Sequence, residues 1–227
     1  MIAIQNLAFH YGDDADDAFR LYIPRLDIAS GEKVAIIGPS GSGKTTLLSL
    51  LAGILLPTHG HITVHGTRLE PLRDAARRKF RIATIGLIFQ DFALLDYLTV
   101  LDNILHPYRL NPALRLTAEV RAQAVALATQ AGLREKLSRS SQQLSHGEKQ
   151  RTAICRALVT RPSLLLADEA LGNLDPHNKE HMLELLFQYV EARSATLIAV
   201  THDHALLATF DRVIDVQQLS QLTAYAS

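Results

Sequence analysis

The chain has 227 residues, with 23 Lys and Arg against 23 Asp and Glu, so its formal net charge is zero. That balance disfavours a nucleic-acid-binding protein, because such proteins usually carry a clear basic excess. The single cysteine, Cys155, excludes an internal disulfide and fits a reducing compartment. The N-terminus lacks a basic start followed by an apolar stretch, so we expect no signal peptide. The most apolar stretch, 47–57, is far shorter than the roughly 20 residues of a spanning helix, so any work at a membrane requires a partner.

The first part of the chain predicts strands that lead into a helix. Apolar residues alternate through Ile2–Tyr11, which indicates a strand with one irregularity. An acidic loop at Asp13–Asp17 is interpreted as a solvated turn, and the basic run Arg73–Arg81 as a solvated helix face. The patterns between these two runs predict a pair of strands over Arg20–Ile28 and Lys33–Ile37, a helix over Thr45–Ala52 and a short edge hairpin over Gly60–Gly66.

Buried strands alternate with helices in the rest of the chain. The predicted strands are Ile82–Phe89, Leu164–Ala167 and Thr196–Val200. The predicted helical regions are Asp91–Thr160, with Ala-rich periodicity in Ala118–Ala131, and a helix around Lys179–Glu191. Continuous apolar strands that alternate with helices indicate a mainly parallel α/β sheet.

A phosphate-binding loop is predicted at residues 38–45, which read GPSGSGKT and match G-x-x-x-x-G-K-[ST]. The loop follows the apolar strand Val34–Ile37 and opens a helix, the context that this pattern requires. Glycines let backbone N–H groups turn toward a phosphate, and the helix N-terminus adds roughly half a positive charge. Lys44 is predicted to reach the β- and γ-phosphates, and the Thr45 hydroxyl to ligate Mg²⁺. We therefore predict nucleotide binding.

Polar side chains follow three further predicted strands. Asp168 and Glu169 end the run LLLADE. We expect Asp168 to hold Mg²⁺ and Glu169 to polarise an attacking water as general base. Gln90 can touch Mg²⁺ or that water without adding charge, and His202 can hydrogen-bond the γ-phosphate. Gln90 and His202 are weak signals alone, since glutamines and histidines after strands commonly have only structural roles. For Asp168 and Glu169 the structural alternative is an exposed acidic loop after a core strand.

The segment LSHGE at 144–148 precedes a predicted helix with one apolar face. Ser145 and Glu148 match the capping box S-x-x-E, which is a purely structural interpretation. A capped helix start with Gly147 also exposes N–H groups that can grip a phosphate. Because the chain already has a phosphate loop, this second anion site would serve another nucleotide. That reasoning predicts a head-to-tail dimer with ATP between the subunits.

Together these motifs resemble the ABC ATPase family over essentially residues 1–217. GPSGSGKT is similar to the Walker A motif, LLLADE to the Walker B strand and LSHGE to the family signature. Gln90 resembles the Q-loop, GNLD at 172–175 the D-loop and THD at 201–203 the H-loop. The resemblance implies an α/β P-loop NTPase of ABC type, with a mainly parallel sheet core, an antiparallel β lobe and an inserted α-helical lobe. It implies one domain over 1–227, made of a nucleotide-binding core with the β lobe (1–90 and 161–217), a helical lobe carrying the signature (91–160) and a short tail (218–227).

The resemblance also implies the roles of individual residues. Glu169, His202 and Gln90 would be catalytic, and Thr45, Gln90 and Asp168 would hold Mg²⁺. Tyr11 resembles the aromatic residue that stacks on adenine. ATP would further be bound by the loop and helix start Gly38, Pro39, Ser40, Gly41, Ser42, Gly43, Lys44, Thr45 and Thr46, and across the interface by Ser145, Gly147 and Asp175.

Two departures from the family pattern stand out. His146 and Glu148 replace the Gly and Gln of the commonest signature, LSGGQ, whereas Gly147 is retained. We expect His146 to restrict the backbone and slow turnover. Ala170-Leu171 replaces the usual Pro-Thr between the general base and the D-loop. That change is expected to loosen the loop without removing a catalytic group.

Within the family the resemblance is greatest to the compact ATPases of lipoprotein-release, macrolide-efflux and cell-division complexes. It rests on PTHG at 57–60, IGLIFQDFALL at 85–95 and GNLD. It implies a homodimer at the cytoplasmic face of the inner membrane that drives an exporter or mechanotransmission complex. An integral membrane permease would contact the apolar segment Asp91–Leu98, and no nucleic acid is expected.

Several alternatives stay open at this point. One is the ATPase of an amino-acid-type importer, and another is a soluble ABC ATPase outside transport. A sugar-importer ATPase is disfavoured because no regulatory domain is recognisable after the last strand. A GTPase is disfavoured because the guanine motif N-K-x-D is absent from the sequence. His59, His61 and His65 form a weak candidate metal site that lacks an evident fourth ligand.

Overall fold

The computed structural model describes residues 2–12, 19–111, 114–172 and 174–221. The turn expected at Asp13–Asp17 and the tail residues 222–227 lie outside the described residues. The strands are β1 (Ile2–His10), β2 (Arg20–Ile28), β3 (Lys33–Ile37), β4 (His59–Val64), β5 (Thr67–Arg68), β6 (Ile85–Ile88), β7 (Leu164–Asp168), β8 (Thr196–Val200) and β9 (Arg212–Asp215). The α-helices are α1 (Lys44–Leu51), α2 (Asp74–Thr84), α3 (Val100–Leu110), α4 (Ala118–Gln130), α5 (His146–Val159), α6 (Pro176–Arg193) and α7 (Val216–Gln221).

The first sheet is antiparallel and has four strands in the order β2-β1-β4-β5. The irregularity expected in β1 is a register shift against β4 between Gln5 and Ala8. Asn6 has a φ of 48° there, and a Cβ added at Gly60 of β4 would lie 2.1 Å from the Asn6 carbonyl oxygen. Position 60 therefore requires glycine. The hairpin expected at Gly60–Gly66 is longer than predicted, since β4 begins at His59 and β5 ends at Arg68. The edge of the sheet is formed by β5, which has only two residues.

The second sheet consists of five parallel strands in the order β6-β7-β8-β3-β9. The pairing expected between Arg20–Ile28 and Lys33–Ile37 is wrong, because β2 pairs with β1 whereas β3 lies between β8 and β9. Burial alternates along β2, as in a strand with one covered face, but is continuous in the centre of β3. A turn at Gly31, whose φ is 81°, separates the two strands, and its N–H donates to Thr196 Oγ1 of β8 at 3.1 Å.

The strand expected over Ile82–Phe89 is shorter than predicted. Helix α2 continues to Thr84, and only Ile85–Ile88 pairs with β7. Ile82 is an apolar position of an amphipathic helix as well as a good strand former, so the local pattern does not separate the two. The basic run of α2 is only partly solvated: Arg78 and Lys79 are exposed, whereas the Arg77 side chain is 15% exposed and Arg81 donates to main-chain carbonyls of the segment after α1. Strand β9, which the sequence patterns did not single out, completes the sheet beyond β3.

The stretch between β6 and β7 is mostly helical, as expected, with α3, α4, α5 and two short 3-10 helices at Arg134–Lys136 and Ser141–Gln143. Two buried apolar clusters hold the described chain together. One joins the antiparallel sheet to α1 and the parallel sheet, and the other joins the parallel sheet to α3, α4, α5 and α6. Among the described residues no helix is both long and apolar enough to cross a bilayer. Because the five strands are parallel, the loops after β3, β6, β7 and β8 all emerge at one edge, where ligands of such sheets bind.

Candidate functional site

The phosphate loop connects the end of β3 to the start of α1. Gly41 and Gly43 have φ angles of 78° and 96°, a region that glycine enters without strain. A Cβ added at Gly43 would lie 2.6 Å from the Phe19 ring, so the packing also requires glycine. The first turn of α1, which is fully described, contains no acidic residue. The positive end of the helix dipole is therefore not compensated within the helix, and it favours an anion.

Two polar side chains of the loop fit a phosphate. Lys44 is only 7% exposed, and its Nζ donates to the carbonyl oxygens of Gly38 and Pro39, both at 2.9 Å. These neutral acceptors are weaker partners for an ammonium group than an anionic oxygen is. Among the described residues, the buried Ser42 Oγ has no hydrogen-bond partner. A phosphate in the loop would supply an acceptor to both groups.

The carboxylate of Asp168 lies at the end of β7 and is almost buried, at 8% exposure. Burial raises the pKa of Asp168 above its ordinary value, opposed by a hydrogen bond from Thr45 and supported by the neighbouring charge of Glu169. Lys44 also favours the ionised form. A carboxylate and a hydroxyl in contact are hard oxygen ligands, so Asp168 and Thr45 fit Mg²⁺, and a divalent cation would favour the ionised carboxylate.

The carboxylate of Glu169 is held between two side chains from neighbouring strand ends. Gln90 Nε2, beyond β6, donates to Oε2 at 3.2 Å. His202 Nε2, beyond β8, lies 2.9 Å from Oε1. The sequence separations of 79 and 33 residues are closed by the parallel order of β6, β7 and β8. The tertiary structure therefore brings together the three residues expected to be catalytic.

The main chain of Glu169 is unusual and is anchored at both of its polar groups. Its φ is 49°, a left-handed conformation that non-glycine residues seldom adopt. Its N–H donates to the Val200 carbonyl at 3.2 Å, and its carbonyl accepts from the Gly172 N–H at 3.1 Å. The same carbonyl accepts from Gln150 Nε2 of α5 at 3.3 Å. Gln150 was not among the predicted site residues. Its position as a polar residue on the apolar face of α5 is the sequence feature from which its buried contact could have been suspected.

Tyr11 follows β1 and lies next to the phosphate loop. Its hydroxyl is 3.1 Å from Thr46 Oγ1, on the first turn of α1. The ring is half exposed and packs edge-on against Phe9, with centroids 4.9 Å apart, and at a tilt against Phe19 at 6.0 Å. An exposed aromatic ring fixed on two sides beside a phosphate loop suits stacking on a nucleotide base.

The predicted capping box is present at the start of α5. Ser145 Oγ accepts from the Glu148 N–H at 3.3 Å, and the Ser145 N–H donates to Glu148 Oε2 at 2.8 Å. Lys136 Nζ lies 3.2 Å from Glu148 Oε1 and fixes it further. No described hydrogen bond joins Ser145 or Gly147 to the phosphate loop or to Glu169. Within one subunit, these two predicted ligands are therefore not hydrogen-bonded to the other predicted site residues in the described part of the chain.

The two departures from the family pattern have defined contacts. The His146 ring packs edge-on against Phe92, with centroids 5.3 Å apart, so the signature touches the segment after Gln90. Ala170 is buried, and Leu171 packs against the helical cluster. Asp175 caps α6 by accepting from the Asn178 N–H at 3.1 Å. Residue 173 of the GNLD segment lies outside the described residues.

The candidate metal site of three histidines gains no support. Across the described ranges, no group of three or more His, Cys, Asp or Glu side chains is arranged to hold a metal ion. His61 instead contacts an Arg68 guanidinium nitrogen, which lies 2.5 Å from its Nδ1 and 3.1 Å from its Nε2, and His65 lies in the turn between β4 and β5. Burial lowers the pKa of His65.

Comparisons with known proteins agree with this arrangement. The sequence model described as ABC transporter matches residues 23–172. A lipoprotein-releasing system ATP-binding protein LolD from Xanthomonas oryzae pv. oryzae is 40% identical over 193 residues, covering 85% of this chain and 78% of that protein. The LolD of Psychrobacter arcticus is 42% identical over 187 residues, covering 82% of each.

The solved structures that resemble this chain include a dimeric ATP-binding cassette in a post-hydrolysis state, bound to ADP and Pi. It superposes with a TM-score of 0.88 at 32% identity, over 95% of this chain and 94% of that one. A second dimeric structure of a bacterial ABC transporter cassette gives the same TM-score at 33% identity. With the family model covering more than half of its residues and its core, loop and strand-end carboxylates arranged as described, the chain belongs to the ABC transporter family, as an ATP-hydrolysing subunit.

Proposed function

We propose that this chain works as a head-to-tail homodimer that binds two ATP molecules at its interface and drives a separate transmembrane partner of an export or mechanotransmission complex. The observation that carries the proposal is the position of Glu169 between Gln90 and His202, while the capped start of α5 is bonded to none of them. A second subunit would bring that helix start to the phosphates. The dimeric arrangement of similar cassettes supports this reading.

Each part of ATP has a proposed set of ligands. Tyr11 stacks on the adenine, and the segment Gly38–Thr46 holds the phosphates through its N–H groups and Lys44. Ser145 and Gly147 of the other subunit close over the γ-phosphate, because a capped helix N-terminus favours an anion. Asp175, exposed at the start of α6, crosses the interface and links the two sites.

The proposed chemistry is an attack of water on the γ-phosphorus, with Glu169 as general base. Its carboxylate takes the proton of the water as the bond between the γ-phosphorus and the ADP oxygen breaks. Thr45, Asp168 and Gln90 would hold Mg²⁺, which would neutralise charge on the phosphates. His202 keeps one carboxylate oxygen in place and hydrogen-bonds the γ-phosphate when it is present.

The permease is proposed to dock at a groove next to the segment Asp91–Leu98. This groove, of about 580 Å³, is lined by parts of α2, β6, α3 and α5. Its apolar wall includes Phe89 and Ala93, and four of the described lining residues are cations, whereas none is acidic: Arg78, Lys79, Arg81 and Arg156. We infer that the occupant is a cytoplasmic helix of the transmembrane partner with an apolar face and acidic side chains.

Among the described residues no carboxylate forms an ion pair with the two inner cations of this groove, although the charge of Asp74 favours the charged form of Arg81 and that of Asp91 favours the charged form of Arg156. Arg81 donates to the carbonyls of Ala52 and Gly53, and Arg156 donates to those of Phe92 and Ala93. Burial lowers the pKa of Arg81, and lowers that of Arg156 to about 10. An acidic residue of the partner would compensate these charges.

The cellular setting and the division of the chain are also proposals. The curated relatives are named as ATP-binding proteins of lipoprotein-releasing systems, which supports a peripheral place at the cytoplasmic face of the inner membrane. Residues 1–90 and 161–217 would form the nucleotide-binding core with its β lobe, and 91–160 the helical lobe. No nucleic-acid partner is proposed, since the net charge is zero.

The proposal is tested by purifying the Glu169→Gln variant from native membranes with ATP present. This variant should bind ATP without hydrolysing it and retain the closed dimer with its transmembrane partner. A co-purifying protein with a few spans and a large extracytoplasmic domain is the expected result. The double variant Lys44→Ala/Glu169→Gln is the matched control, because it should lose ATP and therefore the closed dimer. Recovery of a many-span permease with little outside the membrane would indicate an importer instead, and recovery of soluble partners alone would refute the membrane role.

A further inference from the structure

Gln150 lies on the buried face of α5 and is fully inaccessible to solvent, at 0% exposure. Its Nε2 donates to the Glu169 carbonyl at 3.3 Å, and its Oε1 is buried with no hydrogen-bond partner among the described residues. An unsatisfied buried acceptor destabilises a fold, so an apolar side chain of the same size would pack at least as well. Packing alone therefore does not account for an amide at this position.

The contact that the amide makes is with the residue proposed as general base. Glu169 has a left-handed main chain with a φ of 49°, which has to be held by its surroundings. The main-chain conformation of Glu169 sets the direction in which its side chain leaves the backbone. In this conformation the carboxylate lies between Gln90 and His202. Releasing the carbonyl from one of its two donors would let the peptide relax and move the carboxylate.

Gln150 lies in a different part of the fold from Gln90, His202 and Val200, which also contact Glu169. Gln90 and His202 follow strands of the parallel sheet, and Val200, which accepts from the Glu169 N–H, is the last residue of β8. Gln150 instead belongs to α5, whose N-cap Ser145 lies five residues earlier and whose first turn is fixed by the capping box. A shift of this helix start would be transmitted along α5 to the Glu169 carbonyl.

We propose that Gln150 is a positioning residue that couples the signature helix to the general base of the same subunit. This inference rests on the proposed function, in which the start of α5 meets the γ-phosphate of the nucleotide bound by the partner subunit. Movement of the α5 start on closure of the dimer would then reach the Glu169 main chain through Gln150, so that the position of the general base responds to the nucleotide bound by the partner subunit. Gln150 touches no reacting atom and acts through Glu169 alone.

The test is the Gln150→Met variant, which keeps the length of the side chain and removes both polar atoms. We expect kcat for ATP hydrolysis to fall about tenfold, the effect of one lost hydrogen bond to a catalytic group. KM for ATP should change less than about twofold, and the melting temperature should be unchanged or higher because the orphaned Oε1 is gone. Gln188→Met, the same change on the exposed face of α6, is the matched control and should leave all three quantities unchanged.

A second variant separates alignment from dimer formation. Gln150→Met combined with Glu169→Gln should still dimerise with ATP as readily as Glu169→Gln alone, because Gln150 acts after closure. An unchanged kcat in Gln150→Met, or a kcat that falls only in proportion to a lost melting temperature or lost dimer, would overturn the proposal. A wild-type chain that neither hydrolyses ATP nor dimerises with it would instead refute the proposed function, which this set of measurements distinguishes.

Discussion

Ser145 caps α5 in this structure and is proposed to bind a phosphate in the dimer, and two substitutions should separate these two roles. As N-cap of α5 it accepts from the Glu148 N–H at 3.3 Å, and its own N–H donates to Glu148 Oε2 at 2.8 Å. In the proposed dimer it also meets the γ-phosphate held by the other subunit. Ser145→Ala removes the hydroxyl. Ser145→Asp keeps an N-cap acceptor but introduces a negative charge at the proposed phosphate site.

The expected change in stability follows from these two hydrogen bonds. The shorter one uses the main chain and survives both substitutions, and the longer one is weak by its distance. Ser145→Ala should therefore lower the free energy of unfolding by about 0.5–1 kcal/mol, the lower part of the range for N-caps. That loss corresponds to a melting temperature roughly 1–4 °C lower. Ser145→Asp should be as stable as the wild type or more so, by up to about 1 kcal/mol, because a carboxylate favours a helix N-terminus.

For ATP-dependent dimer formation the two variants are expected to rank in the opposite order, with Ser145→Asp more impaired than Ser145→Ala. In a Glu169→Gln background, the ATP concentration that gives half-maximal dimer should rise modestly for Ser145→Ala. For Ser145→Asp it should rise by at least about tenfold, because two anions repel at short distance. Size-exclusion chromatography with light scattering measures the dimer, and thermal melting measures stability. If Ser145→Asp in the Glu169→Gln background reaches half-maximal dimer at the same ATP concentration as Glu169→Gln alone, the start of α5 does not face a phosphate in the dimer and the proposed role of Ser145 is wrong.

Three further predictions concern buried charged and titratable groups. Lys44→Ala should weaken binding of a fluorescent ATP analogue about 10- to 100-fold, since it removes a buried cationic donor, and unchanged affinity would contradict the assigned role. Asp168→Asn should abolish hydrolysis and yet raise the free energy of unfolding in urea at pH 7. Burial raises the pKa of Asp168 in the folded state. The stability linked to its protonation is therefore present below about pH 3.9 and is lost as the pH rises through the folded pKa. The difference between this variant and the wild type should shrink as the pH falls toward 4, and a constant difference would exclude titration of Asp168 as its cause. Burial raises the pKa of Cys155 to about 12, so iodoacetamide at pH 8 should leave the native thiol unmodified and alkylate it in urea, as mass spectrometry would report.

Features that depend on neighbouring residues were predicted well from the sequence. The phosphate loop follows from the spacing of its glycines and Lys44 after an apolar strand, and the capping box follows from Ser145 and Glu148. The helical stretch before β7 and the strand at Thr196–Val200 follow from periodicity and apolar runs. These patterns suffice because the interactions that stabilise them join residues a few positions apart.

Features that depend on distant residues were predicted poorly or only through family resemblance. The sheet to which Arg20–Ile28 belongs depends on its partner strands, and a turn at Gly31 separates it from β3. The end of α2 depends on where β6 meets β7, so the local pattern placed the strand three residues too early. The contact between Gln150 and the Glu169 carbonyl was not predicted at all.

By itself, the sequence determined that this chain has a phosphate loop, a capped signature helix and carboxylates at a strand end, because each is encoded in a short segment. Only the tertiary structure decided that Gln90 and His202 hold the two oxygens of Glu169 and that α5 holds its main chain. The physical reason is that these contacts exist only where parallel strands β6, β7 and β8 lie side by side with α5 packed against the sheet. That strand order results from the burial of an apolar core to which residues from the whole chain contribute, so no single segment of the sequence specifies it.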